Sequence, residues 1–273
     1  MDPRLQRRVQ RYGWDKAVAY YEAHWSRQLR PAQESLLRAA ALQPGERVAD
    51  VACGTGLVTL PAAEAVGPGG TIVATDISQG MVDDLRRRTE EQGLRNVQAE
   101  RMDAENLKLD DASFDAALDA LGLMYVPDPL QALREMRRVL KPGGRAVTSV
   151  WGARASCGWA EIFPIVDSRV ESEVCPMFFQ LGTKNALEIC FREAGFDEVT
   201  SERISVTLEY ADEDDALGAA FAGGPVAMAY ARFDEKTRDE AHAEYLESIR
   251  AHRNGAGYRV PGEFVITRGV RAD

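Results

Sequence analysis

The sequence predicts an α/β fold in which a mostly parallel sheet carries helices on both faces. Short apolar runs alternate with longer segments of helical periodicity along most of the chain. Turns rich in glycine and proline separate them, at residues 67–70 and at residues 141–144. A glycine loop follows the first strand, at residues 54–56. This order is typical of a sheet built from strand–helix–strand units.

The first predicted helix covers residues 14–41, because aromatic and small residues recur there at the spacing of one helix face. These residues are Trp14, Ala17, Tyr21 and Trp25. The predicted strands are short apolar runs bounded by turn residues. They cover residues 47–51, 71–75, 97–101, 114–119, 145–151, 199–210 and 263–270.

The helices between these strands carry their own start and stop signals. They cover residues 57–66, 78–92, 129–140 and 183–194. Pro61 falls in a first turn, where proline is tolerated, and Ser78 is a suitable helix cap. Gly93 and Gly195 stop the helices that precede them. Right-handed crossovers between parallel strands then limit the topology.

Composition excludes several classes of protein. With 273 residues, 45% of them hydrophobic, the chain can bury a sizeable core. Its net charge of −10 argues against a nucleic-acid partner. The N-terminal arginines are therefore interpreted as a solvated helix face; they are Arg4, Arg7, Arg8 and Arg11.

Membrane, secretory and metal-site signals are missing from the sequence. No apolar run approaches the roughly 20 residues that span a bilayer, so stable membrane insertion is not expected. The arginine-rich start is not followed by the apolar segment of a secretory signal. With three histidines and no C-x-x-C pair, no metal site is predicted. The cysteines are expected to be reduced, as in a cytoplasmic protein; they are Cys53, Cys157, Cys175 and Cys190.

Residues 48–56 form a strand, a glycine turn and a helix start. Gly54 and Gly56 let the backbone approach a ligand, and such a loop lies at the carboxyl edge of the sheet, where ligands bind. The dinucleotide fingerprint G-x-G-x-x-G/A is broken, because its third small position holds Thr59. Asp50 would repel a pyrophosphate and attract a positively charged ligand.

Residues 50–56, Asp-Val-Ala-Cys-Gly-Thr-Gly, resemble the class I S-adenosylmethionine (SAM)-dependent methyltransferases, and more narrowly the ubiquinone/menaquinone-biosynthesis methyltransferase-like group. Residues 135–144 are similar to a structural signature of small-molecule methyltransferases. The resemblance covers about residues 14–150. It implies a Rossmann-like, seven-stranded sheet whose last strand is antiparallel, with SAM as cofactor and S-adenosylhomocysteine as product. A nicotinamide dehydrogenase remains an alternative.

Further cofactor positions follow the other strands. Asp76 ends the second strand, where a carboxylate can accept hydrogen bonds from ribose hydroxyls, although it could instead only cap the next helix. The resemblance places Asp103 at the adenine amino group and Tyr21 over the cofactor. The full set of expected cofactor contacts is Tyr21, Asp50, Ala52, Cys53, Gly54, Gly56, Asp76, Ile77, Met81, Asp103, Ala104, Asp119 and Ala120.

Methyl transfer requires alignment of the reacting groups and exclusion of water, and it needs a base only if the nucleophile must lose a proton. His24, on the first helix and three residues from Tyr21, is the candidate base, and a surface position is the alternative. Asp119 is a second candidate. His242 and His252 lie on a polar helix and are weaker candidates.

Residues 152–182 and 211–260 fall outside the strand–helix alternation. With residues 1–41 they are interpreted as a helical cap on a single domain that spans residues 1–273. Their apolar side chains either form ordinary core or line a pocket for a planar or greasy substrate.

The expected function is methylation of a small organic acceptor, which is quinone-like, polyketide-like or another aromatic natural product. A lipid or sterol methyltransferase, and a SAM-binding protein without turnover, are the alternatives. A homodimer is left open.

Overall fold

Eight strands and nine α-helices make up the part of the chain that this computed structural model describes, which is residues 3–170, 178–222 and 226–272. The strands are β1 (Arg47–Val51), β2 (Thr71–Asp76), β3 (Val97–Arg101), β4 (Phe114–Ala120), β5 (Leu140–Trp151), β6 (Asp197–Tyr210), β7 (Arg253–Asn254) and β8 (Gly257–Val270). The helices are α1 (Pro3–Ala40), α2 (Thr59–Val66), α3 (Gln79–Glu91), α4 (Pro129–Val139), α5 (Ile162–Asp167), α6 (Ala186–Glu193), α7 (Glu213–Leu217), α8 (Ala227–Tyr230) and α9 (Glu235–Ser248).

The strands form one mixed sheet in the order β3-β2-β1-β4-β5-β8-β6. Strands β1 to β5 are parallel to one another, and β8 runs antiparallel to both β5 and β6. The predicted Rossmann-like fold with an antiparallel last strand is confirmed. In the described residues the sheet has one strand more than the seven expected, because β7 pairs with β8. A strand of two residues is too short to show any periodicity in the sequence.

Strand β8 begins six residues before the predicted start at residue 263. Pro261 lies in this early part, and proline cannot donate a hydrogen bond within a sheet. The pairing shows why proline is tolerated there. Pro261 lies opposite Thr207 of β6, whereas the pairing with β5 begins only at Phe264. Pro261 therefore has a strand neighbour on one side.

Helix α1 is also longer than predicted, because it begins at Pro3 instead of residue 14. Its first turns bury Gln6 and Val9, which do not form the apolar stripe that sequence patterns detect. Helix α3 begins as predicted. Ser78 caps it by accepting a hydrogen bond at Oγ from the backbone N–H of Met81, at 3.1 Å.

The main core lies between the sheet and the C-terminal half of α1, where Leu36 and Ala40 are fully buried. The second predicted cap segment packs on the same helix, where the ring of His24 lies against Gly218. At the end of β6, just before that segment, both backbone groups of Glu209 pair with the buried Gln28 of α1, at 2.6 and 3.1 Å. Of the cysteines, Cys175 lies outside the described residues, and the other three are free thiols.

Candidate active site

A cavity opens at the carboxyl ends of the parallel strands, with about 980 Å³ of empty space when the part open to solvent is included. Its wall comes from the loops after β1, β2, β3 and β4, from the N-terminal half of α1, and from aromatic residues that follow β5. Ligands of open α/β sheets bind at this edge, where strand order reverses. Here β1 lies between β2 and β4, so the reversal falls at the glycine loop.

The structure brings nine of the expected cofactor residues to this one wall, which are Tyr21, Ala52, Gly54, Asp76, Ile77, Met81, Asp103, Ala104 and Ala120. Asp50, Cys53, Gly56 and Asp119 do not line the cavity. Cys53 instead packs in a small core on the other side of the loop, with Ala74, Val82, Leu85 and Ala99. The cofactor contacts themselves stay a prediction.

The two loop glycines serve different purposes. Both have a positive φ, 54° at Gly54 and 94° at Gly56, which favours glycine. A Cβ on Gly54 would meet nothing within 4 Å, so this position faces open space in the cavity. A Cβ on Gly56 would lie 2.4 Å from Cδ1 of Leu85. Gly56 is therefore favoured by its backbone conformation and by close packing against Leu85 of α3.

Asp76 is buried and uses both carboxylate oxygens. Oδ2 accepts a hydrogen bond from the backbone N–H of Gly54 at 2.9 Å, and Oδ1 accepts one from Ser78 at 2.8 Å. Burial raises the pKa of Asp76 to about 6, although these backbone hydrogen bonds oppose the shift. Each oxygen retains acceptor capacity for a ligand, since a carboxylate offers about four lone-pair sites.

Two more buried carboxylates lie behind the wall, at the ends of the adjacent strands β1 and β4. Asp50 Oδ2 accepts a hydrogen bond from Thr59 Oγ1 at 2.5 Å, and Asp119 Oδ1 accepts from the backbone N–H of Leu123 at 3.0 Å. Among the described residues, Asp50 Oδ1 and Asp119 Oδ2 have no partner. Burial raises the pKa of each to about 7, and the neighbouring acidic groups add to the shift.

Backbone strain is concentrated beside these carboxylates. Ala52 follows β1 with φ 55°, and Leu121 follows β4 with φ 65°. Both line the cavity. A non-glycine residue in the left-handed region costs free energy, and such residues cluster at functional sites. The loops after β1 and β4 also pack closely on each other, because a Cβ on Gly122 would lie 2.3 Å from Cβ of Ala52.

Helix α1 is tied to all four loops at the rim of the cavity. The hydrogen bonds and ion pairs are Glu22 with Thr55, Asp15 with Ser78 and Gly80, Arg7 with Asp103 and Glu105, and Gln6 with the carbonyl of Tyr125. Each loop is reached by a different side chain of the helix. The position of α1 therefore depends on the conformation of every loop that lines the cavity.

Beyond the strand ends, one side of the cavity wall is aromatic. Tyr125 lies between Trp14 and Phe178, with ring centroids 5.2 and 5.3 Å away. Trp159 lies 5.9 Å from Phe178 and 4.8 Å from Trp151. All five rings line the same cavity. We call this set the aromatic wall.

Two tryptophans of the cavity carry buried N–H groups with no partner in the described chain, at Nε1 of Trp25 and of Trp159. Their exposed fractions are 5% and 2%, and their ring centroids are 5.9 Å apart. A buried indole N–H usually has a hydrogen-bond partner. By contrast, Trp14 Nε1 donates to Oε1 of Gln10 at 3.1 Å.

Comparison with known proteins identifies the family. A family model described as a methyltransferase domain matches residues 48–144. The demethylmenaquinone methyltransferase of Staphylococcus epidermidis is 34% identical over 188 residues, which are 68% of this chain and 76% of that protein. The chain belongs to the SAM-dependent methyltransferases. It is an enzyme of that class and uses SAM.

Solved structures share the fold of this methyltransferase. The YcgJ protein of Bacillus subtilis has a TM-score of 0.61 at 17% identity, covering 89% of this chain and 99% of its own. The phosphoethanolamine N-methyltransferase 2 of Haemonchus contortus, in complex with phosphomonomethylethanolamine and S-adenosylhomocysteine, also has a TM-score of 0.61, at 16% identity. It covers 95% of this chain and 58% of its own.

The site residues of the methyltransferase fit this cofactor. Gly54 leaves open space where a side chain would otherwise stand. Asp76 presents a buried carboxylate of the kind that binds ribose hydroxyls. Asp50 and Asp119 supply buried, unpaired carboxylate oxygens beside the wall, which favour a ligand with positive charge. SAM has a ribose and positive charge and carries no phosphate.

His24 is not part of the cavity wall, and this placement does not support it as the general base. Its Nδ1 lies 3.9 Å from Oδ1 of Asp215 in α7, and its ring packs against Gly218. A spacing of three residues turns His24 about 60° away from Tyr21 around the helix, which is enough to reach a different neighbour. In the described residues no group of side chains could hold a metal ion.

Sequence reasoning missed Gln10 and Glu105 of the cavity wall, and it assigned Arg7 to a solvated helix face, whereas Arg7 lines the cavity and pairs with Asp103 and Glu105. A signal was present, because Arg7 and Gln10 continue the face of Trp14 and Tyr21 toward the N-terminus at helical spacing. They were overlooked because they are polar. Glu105 had no comparable signal; it is buried with one carboxylate oxygen paired to Arg7, at 2.8 Å, and the other accepting from the backbone N–H of Asp128, at 3.0 Å.

Among the described helices, none is long and apolar enough to cross a membrane.

Proposed function

We propose that the enzyme methylates a planar, oxygen-bearing aromatic small molecule of the quinone type. The aromatic wall, together with the unpaired N–H groups of Trp25 and Trp159, carries this proposal. Apolar cavities with a few polar groups are typical of small-molecule sites. A flat ring would stack on the wall. Its oxygen atoms would accept hydrogen bonds from the two indoles once small rotations of the rings bring their buried N–H groups to the cavity surface. The name of the Staphylococcus epidermidis relative, a demethylmenaquinone methyltransferase, supports the same substrate class.

We propose roles for the cofactor-binding residues that follow the strand ends. Asp76 would accept hydrogen bonds from the ribose hydroxyls. Asp103 and the backbone of Ala104 would contact the adenine, with Ile77 and Met81 against its faces. Tyr21 would cover the cofactor. Asp50, Ala52, Asp119 and Ala120 would lie near the methionine end. The glycine loop, with Cys53, Gly54 and Gly56, would pass close to the cofactor backbone-first.

When bound, SAM supplies a methyl group that is activated by a sulfonium leaving group. The protein then has to align the acceptor and keep water away from it. The buried aromatic wall excludes water. Donors at Trp25 and Trp159 would stabilise an ionised acceptor oxygen and so lower the pKa of a phenol-type acceptor. An ionised phenol is a better nucleophile at both its oxygen and its ring carbons. Its proton passes to water before the transfer, so this proposal requires no histidine. After transfer to a ring carbon, the proton of that carbon moves to the ring oxygen and restores the phenol.

The first test is a methyl-transfer assay with purified enzyme and SAM that carries a labelled methyl group. The acceptors are a reduced naphthoquinone without its ring methyl group, a simple polyphenol, a sterol and a phospholipid headgroup amine. We expect label in the reduced naphthoquinone or the polyphenol, at the catalytic rates of ordinary enzymes. Mass spectrometry of the product identifies the acceptor atom.

The other outcomes decide between the alternatives. Label only in the sterol or the headgroup amine would contradict the proposal and favour a lipid methyltransferase. SAM binding by calorimetry without transfer to any acceptor would favour a SAM-binding protein without turnover on these classes. The oxidised naphthoquinone is the matched control, since it lacks the phenolic oxygens and should not react.

A further inference from the structure

The outward face of α1 differs in charge from the rest of the protein. Between residues 3 and 30, every exposed charged residue is basic; these are Arg4, Arg8, Lys16, Arg27 and Arg30. The acidic residues of the same stretch, Asp15 and Glu22, point inward and accept hydrogen bonds from Ser78 and Thr55. The whole chain has a net charge of −10. A local basic strip is therefore present on an acidic protein.

The same face also exposes large apolar groups. Leu5, Tyr12 and Tyr20 are 37%, 48% and 53% exposed. They are three of the four large hydrophobic residues that are exposed in the described part of the chain. Their spacings of seven and eight residues keep them on one side of the helix. We call residues 4–20 on this side the outer strip of α1; it is about 24 Å long at the rise of an α-helix.

We propose that the outer strip of α1 docks on the surface of an anionic lipid bilayer. Basic side chains beside leucine and tyrosine are the composition of helices that lie in the plane of a membrane interface. Tyrosine prefers that boundary because its ring is apolar and its hydroxyl group is polar. The basic groups attract acidic headgroups, while Leu5 and Tyr12 enter the interface.

Charge also argues against two other occupants. In a symmetric dimer through this strip, the Arg8 and Lys16 side chains of both copies would face each other and repel. A nucleic acid would match the charge, but it offers no continuous apolar boundary for Leu5, Tyr12 and Tyr20 in a row. A bilayer surface satisfies both the charge and the apolar groups.

The position of the strip links it to the active site. The opposite face of the same turns of α1 lines the cavity with Arg7, Gln10, Trp14 and Tyr21. A docked enzyme would therefore hold one wall of its cavity next to the bilayer, where apolar molecules accumulate. This inference goes beyond the proposed function, and it does not depend on which acceptor is methylated.

The test is cosedimentation of the full-length enzyme with vesicles. One set contains phosphatidylcholine alone, and the other also contains phosphatidylglycerol. We expect binding to the second set only, and weaker binding as salt is raised, because screening shortens the range of the attraction. The double variant Arg8→Glu/Lys16→Glu should bind roughly tenfold more weakly or worse, since each basic group near the surface contributes to the attraction.

A matched control separates the strip from net charge. Lys236→Glu/Arg250→Glu changes the total charge equally, at side chains that are 85% and 74% exposed on other elements. This control should keep most of the binding. Tyr12→Ser/Tyr20→Ser should weaken binding at unchanged charge. Circular dichroism and SAM affinity establish that each variant is folded, and turnover of a water-soluble acceptor should be unchanged.

Three results would overturn the proposal. The first is no sedimentation with phosphatidylglycerol vesicles. The second is an equal loss of vesicle binding in the Lys236→Glu/Arg250→Glu control, which would show that binding depends on the net charge of the protein and not on the outer strip. The third is binding of transfer RNA or self-association that Arg8→Glu/Lys16→Glu abolishes, in an enzyme that does not bind vesicles; this would assign the strip to that other partner.

Discussion

The backbone N–H of Gly54 donates a hydrogen bond to Oδ2 of Asp76, with 2.9 Å between nitrogen and oxygen. This contact joins the glycine loop after β1 to the end of β2. Because the other oxygen of Asp76 accepts from Ser78 at 2.8 Å, one carboxylate also fixes the start of α3. Asp76 therefore shapes the cavity that it lines, and its substitution tests both roles.

Replacement of Asp76 by alanine should weaken SAM binding by about 1–3 kcal/mol, the usual cost of buried polar groups without partners. Asp76→Asn retains one acceptor oxygen, so its loss of SAM affinity should be smaller. Titration calorimetry measures both, and Asp110→Ala, at an exposed position away from the cavity, is the control. Unchanged affinity in a folded Asp76→Ala enzyme would exclude a role in cofactor binding.

The two loop glycines should respond differently to substitution. Gly54→Val directs a side chain into open space of the cavity and should abolish SAM binding, with a cost to the fold of about 1–2 kcal/mol from its positive φ. Gly56→Ala meets Leu85 and should chiefly destabilise the fold, by roughly 1–3 kcal/mol. Urea unfolding and calorimetry on both variants separate the effects. Normal SAM binding by Gly54→Val would refute the assignment of the loop.

SAM affinity should rise with pH between about 5 and 8. The pKa values of Asp50 and Asp119 are about 7, and that of Asp76 is about 6, because burial disfavours their charged forms. Binding of a cation favours the ionised forms, so protons are released. Calorimetry in buffers with different ionisation enthalpies counts these protons. The Asp119→Asn enzyme should release fewer protons when SAM binds. A SAM affinity that does not depend on pH would contradict the prediction.

The free enzyme should show the opposite trend in stability. Unfolded aspartate has a pKa of about 3.9, so a raised pKa in the folded state means that the folded state binds protons more tightly. The contribution of these groups to the stability of the folded state is complete below the unfolded pKa of about 3.9. It is lost as pH rises through about 6 to 7, the folded pKa values. Thermal unfolding with and without SAM should show a larger increase in Tm at pH 8 than at about pH 5.

Removal of the unpaired indole donors should affect the acceptor and spare the cofactor. Trp25→Phe and Trp159→Phe keep an aromatic ring but remove the N–H, and each should raise the acceptor KM up to about tenfold. SAM affinity should be unchanged. Trp14→Phe is the matched control, because its N–H already donates to Gln10. Equal effects at all three positions would show that ring packing alone matters.

The predicted cap can be tested through α1. Because Glu22 holds Thr55 and Asp15 holds Ser78, cofactor binding at these loops should stabilise the helix. Addition of S-adenosylhomocysteine should slow amide hydrogen exchange in residues 7–25, and less so in Glu22→Ala. Helix α4 is the internal control. Exchange that slows only in the loops would show that α1 is ordinary structure and not a cap.

Much of the fold was predictable because its strands and helices bury regular apolar faces, as β1 and α3 do. Residues whose position depends on tertiary contacts could not be predicted in this way. The direction of His24 is set by α7, and the burial of Glu105 by Arg7, and neither partner is near in sequence. The cofactor loops could be predicted because their glycine and aspartate residues come directly after strands that the sequence reveals. The polar side of the cavity was missed because helix periodicity identifies apolar residues.

The placement of the tryptophans has a practical consequence. The chain has four, and all of them line the one cavity. Trp25, Trp151 and Trp159 are within van der Waals range of one another, with centroids 4.8 to 5.9 Å apart. The entire indole fluorescence of the protein therefore originates at the active site. Emission intensity and wavelength should report the entry of any ligand without a label, and rapid mixing can then follow the arrival of cofactor and acceptor in real time.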